Sequence, residues 1–276
     1  GNINYFVNES ITKLSKLQNT DGSFRYWPSY NYSDEWSTSY VGHFLIEAQN
    51  AGYNIPQSIL NNWVNYQRNA AREYLYDASR YTNSGLIQAY RLYTLALAKK
   101  PEIGAMNKLK EQQLDLTAKM RLAAAYALIG QVETAKALIQ NTPIKFEPYR
   151  ELSFTYGSDL RDKAIVLETL VLLNDDSNGF RLAREISNSL SGNRWLSTQE
   201  TAVSLLALSK MSMQTKERSD VNLRYTINGK TEKITTEKPI ARSVLQIKEG
   251  NNNITYENLS TKPMFVNLSL TGIPPL

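Results

Sequence analysis

The residue types that carry most enzyme chemistry are scarce in this chain of 276 residues. It contains no cysteine and one histidine, His43, which falls in a predicted helix beside Phe44 and Leu45. A general base in a catalytic triad needs a nucleophile and an orienting acid near it, and the sequence contains no nucleophile elbow. We therefore interpret His43 as a structural or surface histidine and predict no catalytic residue.

Composition excludes several further kinds of site. Without cysteine, this chain's own residues form no disulfide, thiolate metal site or thioester. No metal-ligand spacing is present, so we predict no metal and no cofactor. The net charge of +5 is scattered along the chain, which gives no basic cluster for nucleic acid. No run of about 18 apolar residues is present to span a membrane.

A charged cluster, Asp159, Arg161 and Asp162, opens one predicted helix. It is either a polar site on the surface or a helix cap made by Asp159 together with an ion pair. The second interpretation is favoured, because acidic side chains near a helix N-terminus meet the positive end of the helix dipole.

Aromatic side chains are dense between residues 26 and 40. Such clusters stack sugars, anchor a partner or pack linkers between helices. Linker packing is favoured, and the aromatic residues also form our candidate interaction surface: Tyr26, Trp27, Trp36, Tyr40 and Tyr156.

The elements that position these residues centre on the stretch 17–48. A helix ends near Gln18, Asp21-Gly22 makes a tight turn, and Ser33 or Asp34 can cap the helix that follows. A similar arrangement recurs weakly at 194–200, where Ser197 and Glu200 form a capping box. This recurrence predicts helical hairpins laid side by side around a ring.

Two long segments, 86–98 and 160–173, are apolar on most faces, as expected for helices buried on several sides inside such a ring. After Thr215 the pattern alternates, and Asn228-Gly229 is a strong hairpin signal. Further strands are predicted near 231–236, 240–248, 253–258 and 263–271. The fold class is mainly α, an α/α toroid over 1–215 followed by a small antiparallel β domain or partial β-sandwich over 216–276, with the boundary near 215–219.

Several motifs, in this order, resemble bacterial α2-macroglobulins, and their Bacteroidetes-type members most. They are Leu-Gln-Asn-Thr-Asp-Gly-Ser-Phe from residue 17, Trp-Ser-Thr-Ser-Tyr-Val from residue 36, Tyr-Gly-Ser-Asp-Leu-Arg-Asp from residue 156 and Arg-Trp-Leu-Ser-Thr-Gln-Glu from residue 194. The resemblance covers the family's thioester-domain toroid, of the terpenoid cyclase-like kind, and the β region after it. The positions carried over are Gln18, Asp21, Gly22, Phe24, Gly157, Arg161, Asp162, Trp195 and Gln199.

The resemblance implies part of a broad-spectrum protease trap in the periplasm or cell envelope, not an enzyme. Its partners would be target proteases and other domains of the same polypeptide, with no nucleic acid and with a membrane only through an anchor elsewhere. The family's thioester comes from a Cys-x-Glu-Gln motif that this chain lacks. Because the chain opens on Gly1 without Met, we expect a fragment that starts after that motif; a member that has lost the thioester is the alternative.

Two other classes stay open on the residues alone. The aromatic richness also suits an α/α-toroid carbohydrate-active enzyme, a lyase or hydrolase, which would gather catalytic groups in the ring's cavity. Residues 122–139 also suit a non-covalent helical binding scaffold, although no steady repeat of about 34 residues is present.

Overall fold

The computed structural model describes residues 2–29, 32–77, 84–216, 221–237 and 241–260, together with positions 264, 266, 268 and 269. It divides into two compact units, Gly1–Leu208 and Ser209–Leu276, so the division falls inside the last helix. The boundary expected near 215–219 stays a prediction. Within the described residues, no helix combines the length and the apolar character needed to cross a bilayer.

The described part of the helical unit is built from helices joined by loops of varied length. The last helix continues past Leu208, where this unit ends. In chain order they are α1 Asn2–Ser15, α2 Glu35–Asn50, α3 Gln57–Glu73, α4 Ser84–Leu97, α5 Ile103–Lys110, α6 Leu116–Leu128, α7 Val132–Ile139, α8 Asp159–Leu173, α9 Asp176–Ser191 and α10 Thr198–Lys216.

Alternate helices form an inner series. Helix α2 contacts α4, α4 contacts α6, and α6 contacts α8, while α1, α3, α5, α7 and α9 each pack against a neighbouring inner helix. The Arg161 guanidinium of α8 lies 4.8 Å from the centre of the Trp36 ring of α2, which connects the ends of the inner series. The predicted fold class, an α/α toroid followed by a small antiparallel β region, is confirmed.

The inner helices are buried on more than one face, as their apolar sequences predicted. In α4 every residue from Gln88 to Ala96 is buried, and α8 is buried at most of its positions. The main core joins α4, α5 and α6, and a second core lies where α1, α2 and α3 meet around Trp63. These cores hold the helix ends, where the motif residues lie, in fixed positions.

Local capping signals place the helix starts. The Asp34 carboxylate accepts a hydrogen bond from the Ser37 backbone N–H at 2.5 Å, which caps α2 as predicted. Ser197 and Glu200 form the expected capping box at α10, with hydrogen bonds of 2.7 and 3.1 Å. At α8 the predicted cap is wrong: the residue before Asp159 does the capping, since its hydroxyl accepts from the Arg161 N–H at 3.2 Å.

The second unit contains a three-stranded antiparallel sheet of β1 Val221–Ile227, β2 Lys230–Thr236 and β3 Ile254–Asn258, in the order β2-β1-β3. Asn228 and Gly229 both have positive φ, 50° and 85°, as the tight hairpin turn between β1 and β2 requires.

The strand predicted over 240–248 is wrong for residues 241–248, which form no strand. The Asn252 side chain accepts from the Lys248 N–H and donates to the Lys248 carbonyl, both at 2.8 Å, so a local turn uses backbone groups that a ladder would need. Most of the strand predicted at 263–271 lies outside the described residues.

Helix α2 passes Trp63 of α3 at Gly42, and a Cβ at Gly42 would overlap the Trp63 indole ring. We expect Gly42→Ala to lower the free energy of unfolding by about 1–3 kcal/mol, because Trp63 is fully buried and has nowhere to move. Urea unfolding measures this. The matched control is Gly104→Ala in α5, where the added methyl meets nothing within 4 Å and should stabilise the helix slightly. Equal stability of the two variants would contradict the packing argument.

Candidate functional site

Three of the inner helices each bury one arginine. Arg91 on α4, Arg121 on α6 and Arg161 on α8 are all at most 1% exposed. Burying a charge is costly unless acceptors and counter-charges surround it. The partners of these three guanidinium groups therefore show which parts of the chain the helical unit holds together.

The Arg91 guanidinium joins three helices. Its Nε donates to Gln67 Oε1 of α3 at 3.1 Å, its Nη1 donates to Gln88 Oε1 of its own helix, and its Nη2 contacts the Glu35 carboxylate of α2 at 2.6 Å. The start of α2 is thereby fixed against α3 and α4. Helix α2 follows directly after the loop that carries Tyr26 and Trp27.

Arg121 forms a buried ion pair with Glu168 of α8, with Nη2 and Oε2 2.9 Å apart and both side chains almost fully buried. The guanidinium also lies 4.2 Å from the centre of the Tyr93 ring of α4, a cation–π contact. Burial alone lowers the pKa of Arg121, but the Glu168 carboxylate together with Tyr93 and Tyr90 outweighs burial, and the pKa is raised. The pair ties α4, α6 and α8 together in the interior.

Arg161 is the centre of the largest polar cluster. Its Nε donates to Asp162 Oδ1 at 2.7 Å, and its Nη1 donates to the Thr155 carbonyl at 3.1 Å and to Gln199 Oε1 at 3.2 Å. Burial lowers the pKa of Arg161, yet the Asp162 carboxylate raises it above its usual value. This one side chain connects the loop before α8, the start of α10 and, through the Trp36 ring, helix α2.

Tyr149 completes this cluster. Its hydroxyl donates to Asp162 Oδ2 at 2.6 Å and accepts from Arg161 Nη2 at 3.3 Å. Burial raises the pKa of Tyr149 well above its usual range and the Asp162 charge adds to the effect, so the phenol stays protonated. A Cβ at Gly157 would overlap both Arg161 Nη2 and Tyr149 Oη, so this position has room only for glycine.

The motif around Gln18 is a structural joint. The Gln18 side-chain amide donates to the Gly22 carbonyl at 3.2 Å and to the Ile59 carbonyl of α3 at 2.9 Å, and Asp21 accepts from a backbone N–H in the turn. Gly22 has a φ of 96° and lies against the α3 backbone, and Phe24 is buried beside it. These four positions hold the loop after α1 onto α3.

His43 is a buried structural histidine. Its Nδ1 lies 3.0 Å from the Tyr90 hydroxyl, and its Nε2 lies 3.4 Å from the Glu47 carboxylate on the same helix. The contact with Tyr90 joins α2 to α4, and the contact with Glu47 lies within α2, so the surroundings of His43 suit a structural role.

The candidate aromatic residues separate into two groups. Tyr26, Trp27 and Tyr156 are 55%, 58% and 42% exposed, and the Tyr26 ring contacts the other two with centroid distances of 5.5 and 6.4 Å. Trp36 is only 3% exposed, because its ring packs against Tyr90 and Arg161, so it is not part of that surface. Tyr40 is partly buried against the same core.

Trp195 lies on a neighbouring loop and is 71% exposed. The Arg150 guanidinium covers its ring at 4.6 Å and also pairs with the buried Glu200 carboxylate, which Arg194 contacts at 2.8 Å. Tyr26, Trp27, Tyr156 and Trp195 therefore sit on three loops that each precede the start of an inner helix or α10. We call these four residues the aromatic end of the ring; their role as an interaction surface stays a prediction.

The sequence alone predicted a role for Arg161 but none for the other two central arginines, Arg91 and Arg121. A buried arginine and an exposed one look alike in a sequence, because only the fold supplies partners such as Gln67 and Glu168. One signal was present: Arg91 occurs in a helix that is apolar nearly all round, where a charge has no exposed face to occupy.

The described residues contain no group of three or more histidine, aspartate or glutamate side chains placed to hold a metal ion. Their buried charges pair with each other and fix loops. The arrangement defines an α/α toroid with an apolar interior, a few paired buried charges and an aromatic end.

Comparison with known proteins specifies the class further. No family model matches the chain. It is 29% identical to alpha-2-macroglobulin from Escherichia coli K12 over 215 residues, which is 73% of this chain and 13% of that protein. It is 23% identical to alpha-2-macroglobulin from Xylella fastidiosa over 96% of this chain and 17% of that protein. The resemblance to bacterial α2-macroglobulins is confirmed, and the chain spans less than a fifth of the length of these relatives.

Solved structures agree in fold. The native conformation of E. coli alpha-2-macroglobulin covers 90% of this chain with a TM-score of 0.64 and 24% identity. A crystal structure of the same protein from domain MG7 to the C-terminus gives the same TM-score, and this chain covers 38% of it. The match thus extends beyond the helical unit.

The buried pair of Arg121 and Glu168 predicts unequal effects of single and double substitution. We expect Arg121→Met to lower the free energy of unfolding by about 3–5 kcal/mol, because it leaves the Glu168 charge buried without a cation. Adding Glu168→Leu should recover much of that loss. Urea unfolding followed by circular dichroism measures both variants. A double variant as unstable as the single one would contradict the assignment of the cost to the stranded charge.

Glu200 predicts a pH dependence of stability. Burial alone raises its pKa, but hydrogen bonds from Ser197 and Ser158, together with the Arg150 charge, outweigh this, and the pKa is lowered from its usual 4.5. Its contribution is therefore full above about pH 4.5 and is lost as the pH falls through the folded-state pKa. Glu200→Gln should be less stable at neutral pH and should converge with the wild type in acid, as measured by unfolding at several pH values. The control is Glu147→Gln, in an exposed loop. Its free energy of unfolding should change with pH in parallel with that of the wild type.

Proposed function

We propose that this chain is the toroid and adjoining β part of a bacterial α2-macroglobulin-like protease trap. The observation that carries the proposal is the similarity to the E. coli protein over 73% of the chain. In this chain the residues of the family motifs form polar joints between helices and loops, such as Gln18 with Ile59 and Arg161 with Gln199. In the proposed function the toroid holds and shields the reactive region of a longer polypeptide until a protease cuts that polypeptide elsewhere.

Protease as partner is supported by the relatives. The similar structures include trypsin-activated and porcine elastase-activated forms of E. coli alpha-2-macroglobulin. Alpha-2-macroglobulins are protease inhibitors and not enzymes, which supports the prediction that this chain is not an enzyme and leaves the carbohydrate-active alternative without support.

The proposal includes a covalent bond between the trap and the protease only if residues outside this chain form it. A Salmonella alpha-2-macroglobulin similar to this chain has been solved after reaction with methylamine, an amine of the kind that opens thioesters. This chain has no cysteine, so its own residues perform no acylation. If the longer polypeptide carries Cys-x-Glu-Gln, that segment supplies the thioester; if it does not, the trap acts by steric enclosure.

The setting of the trap is also part of the proposal. We place the protein in the periplasm or cell envelope of a bacterium of the Bacteroidetes type. Its contacts are target proteases and other domains of the same polypeptide, with no nucleic acid, and a membrane is reached only through an anchor outside this chain. Fractionation of the source cells tests this placement.

The function is tested on the longer polypeptide that contains this chain. We expect that trypsin, after incubation with this polypeptide, no longer cleaves a large protein substrate but still cleaves a small chromogenic peptide. A trapped protease stays accessible to small molecules. Trypsin inactivated before mixing is the control and should leave no complex. Retention of full trypsin activity on the large substrate would rule out trapping, and methylamine pre-treatment separates a covalent trap from a steric one.

A further inference from the structure

A groove of about 560 Å³ lies within the helical unit, between α3 and the C-terminal ends of α2 and α4. It sits at the opposite end of α2 from the loop of Tyr26 and Trp27, because α2 starts after that loop and reaches the groove near its last residue, Asn50. The groove is therefore separate from the aromatic end and from the buried arginine clusters.

The lining of the groove is positive. Arg68, Lys99 and Lys100 line it, and none of the described lining residues is acidic. Arg68 is paired with Glu102, which lies outside the lining, but Lys99 and Lys100 make no ion pair among the described residues. Helix α3 also begins here, at Gln57, and no side chain caps it, so the positive end of its dipole adds to the field. The groove favours an anionic ligand.

The wall made by α3 carries a row of side-chain amides. Gln57, Asn61 and Asn65 follow each other at intervals of four residues and end at Arg68 one turn later. Four residues of α-helix rise about 6 Å, close to the ~6.6 Å that two residues of extended chain span. Within the row the Gln57 amide donates to Asn61 Oδ1 at 3.0 Å. Since an amide carries two N–H groups and two oxygen lone pairs, the row keeps donors and acceptors that can pair with the N–H and C=O groups of an extended peptide.

The opposite wall is held in place by the end of α4. Lys99 has a φ of 60°, a left-handed conformation that glycine usually supplies at a helix end. The Lys99 and Lys100 N–H groups donate to the Ala96 and Leu95 carbonyls at 3.0 and 2.9 Å, so the backbone that carries both cations is fixed. A lysine therefore occupies a left-handed position where the helix end alone favours glycine.

From the charge, the amide row and the fixed lysines we infer that this groove binds an extended acidic peptide segment of another protein. The amides of α3 pair with the peptide backbone, and Lys99 and Lys100 meet its carboxylates. Ile46, Leu60 and Leu97 provide an apolar floor for one side chain. The spacing favours a peptide over other polyanions, because the amide row matches the repeat of an extended chain. The inference does not depend on the proposed protease trap.

Fluorescence anisotropy tests the inference with the full chain and a labelled peptide of about eight residues that alternates glutamate and threonine. We expect saturable binding that weakens as salt rises, because the contacts are between charges. Lys99→Glu with Lys100→Glu should weaken binding about tenfold or more, since both carboxylate contacts become repulsive. Asn61→Ala with Asn65→Ala should weaken binding without changing its salt dependence, because these residues contact the backbone.

Two controls make the result specific. Lys108→Glu with Lys145→Glu changes the net charge equally at exposed sites outside the groove, and should bind the peptide like the wild type. A peptide that alternates glutamine and threonine should bind weakly. Equal loss in both charge variants, or binding of a sulfated glycan that the amide substitutions leave unchanged while the peptide fails to bind, would overturn the inference. Protease trapping by the longer polypeptide is measured separately and is unaffected by either outcome.

Discussion

The guanidinium of Arg161 lies where bulk water does not reach, so its N–H groups have to find acceptors within the protein. The acceptors come from Asp162, Tyr149, the Thr155 backbone and Gln199, and the Trp36 ring covers one face. Because these partners belong to separate helices and loops, satisfying this one charge fixes how α2, α8 and α10 begin. The exposed aromatic residues are held on loops that this cluster positions.

A related constraint applies at Arg91 and Arg121, although Arg121 donates only from Nη2, to Glu168, and otherwise lies against the Tyr90 and Tyr93 rings. In each case one inner helix contributes the cation, and neighbouring helices contribute the carboxylate or amide that compensates it. Apolar packing brings the inner helices together without selecting one register, since many apolar faces fit one another. The paired charges act only when the helices meet in one arrangement, which suits a scaffold whose surfaces lie at the helix ends.

Most features governed by local chemistry were predictable from the sequence, although the cap of α8 and the turn at Asn252 were not. Features governed by distant partners were harder to predict. Asp34, the capping box at Ser197 and the Asn228-Gly229 turn act within a few residues, and the structure confirms them. The apolar inner helices were predictable because their composition reflects burial on several sides. The surface role expected for Trp36 depended on what packs over it, and the strand expected at 241–248 competed with bonds from Asn252.

The contact between Arg161 and Trp36 joins the last and first helices of the inner series, which lie far apart along the chain. Most other helix contacts join close neighbours in sequence and form quickly. An intermediate with all hairpins made but the circle open would expose this arginine and indole to solvent at a free edge. Because this contact closes a long loop, it costs more chain entropy than the contacts between successive helices, and we expect it to form after them.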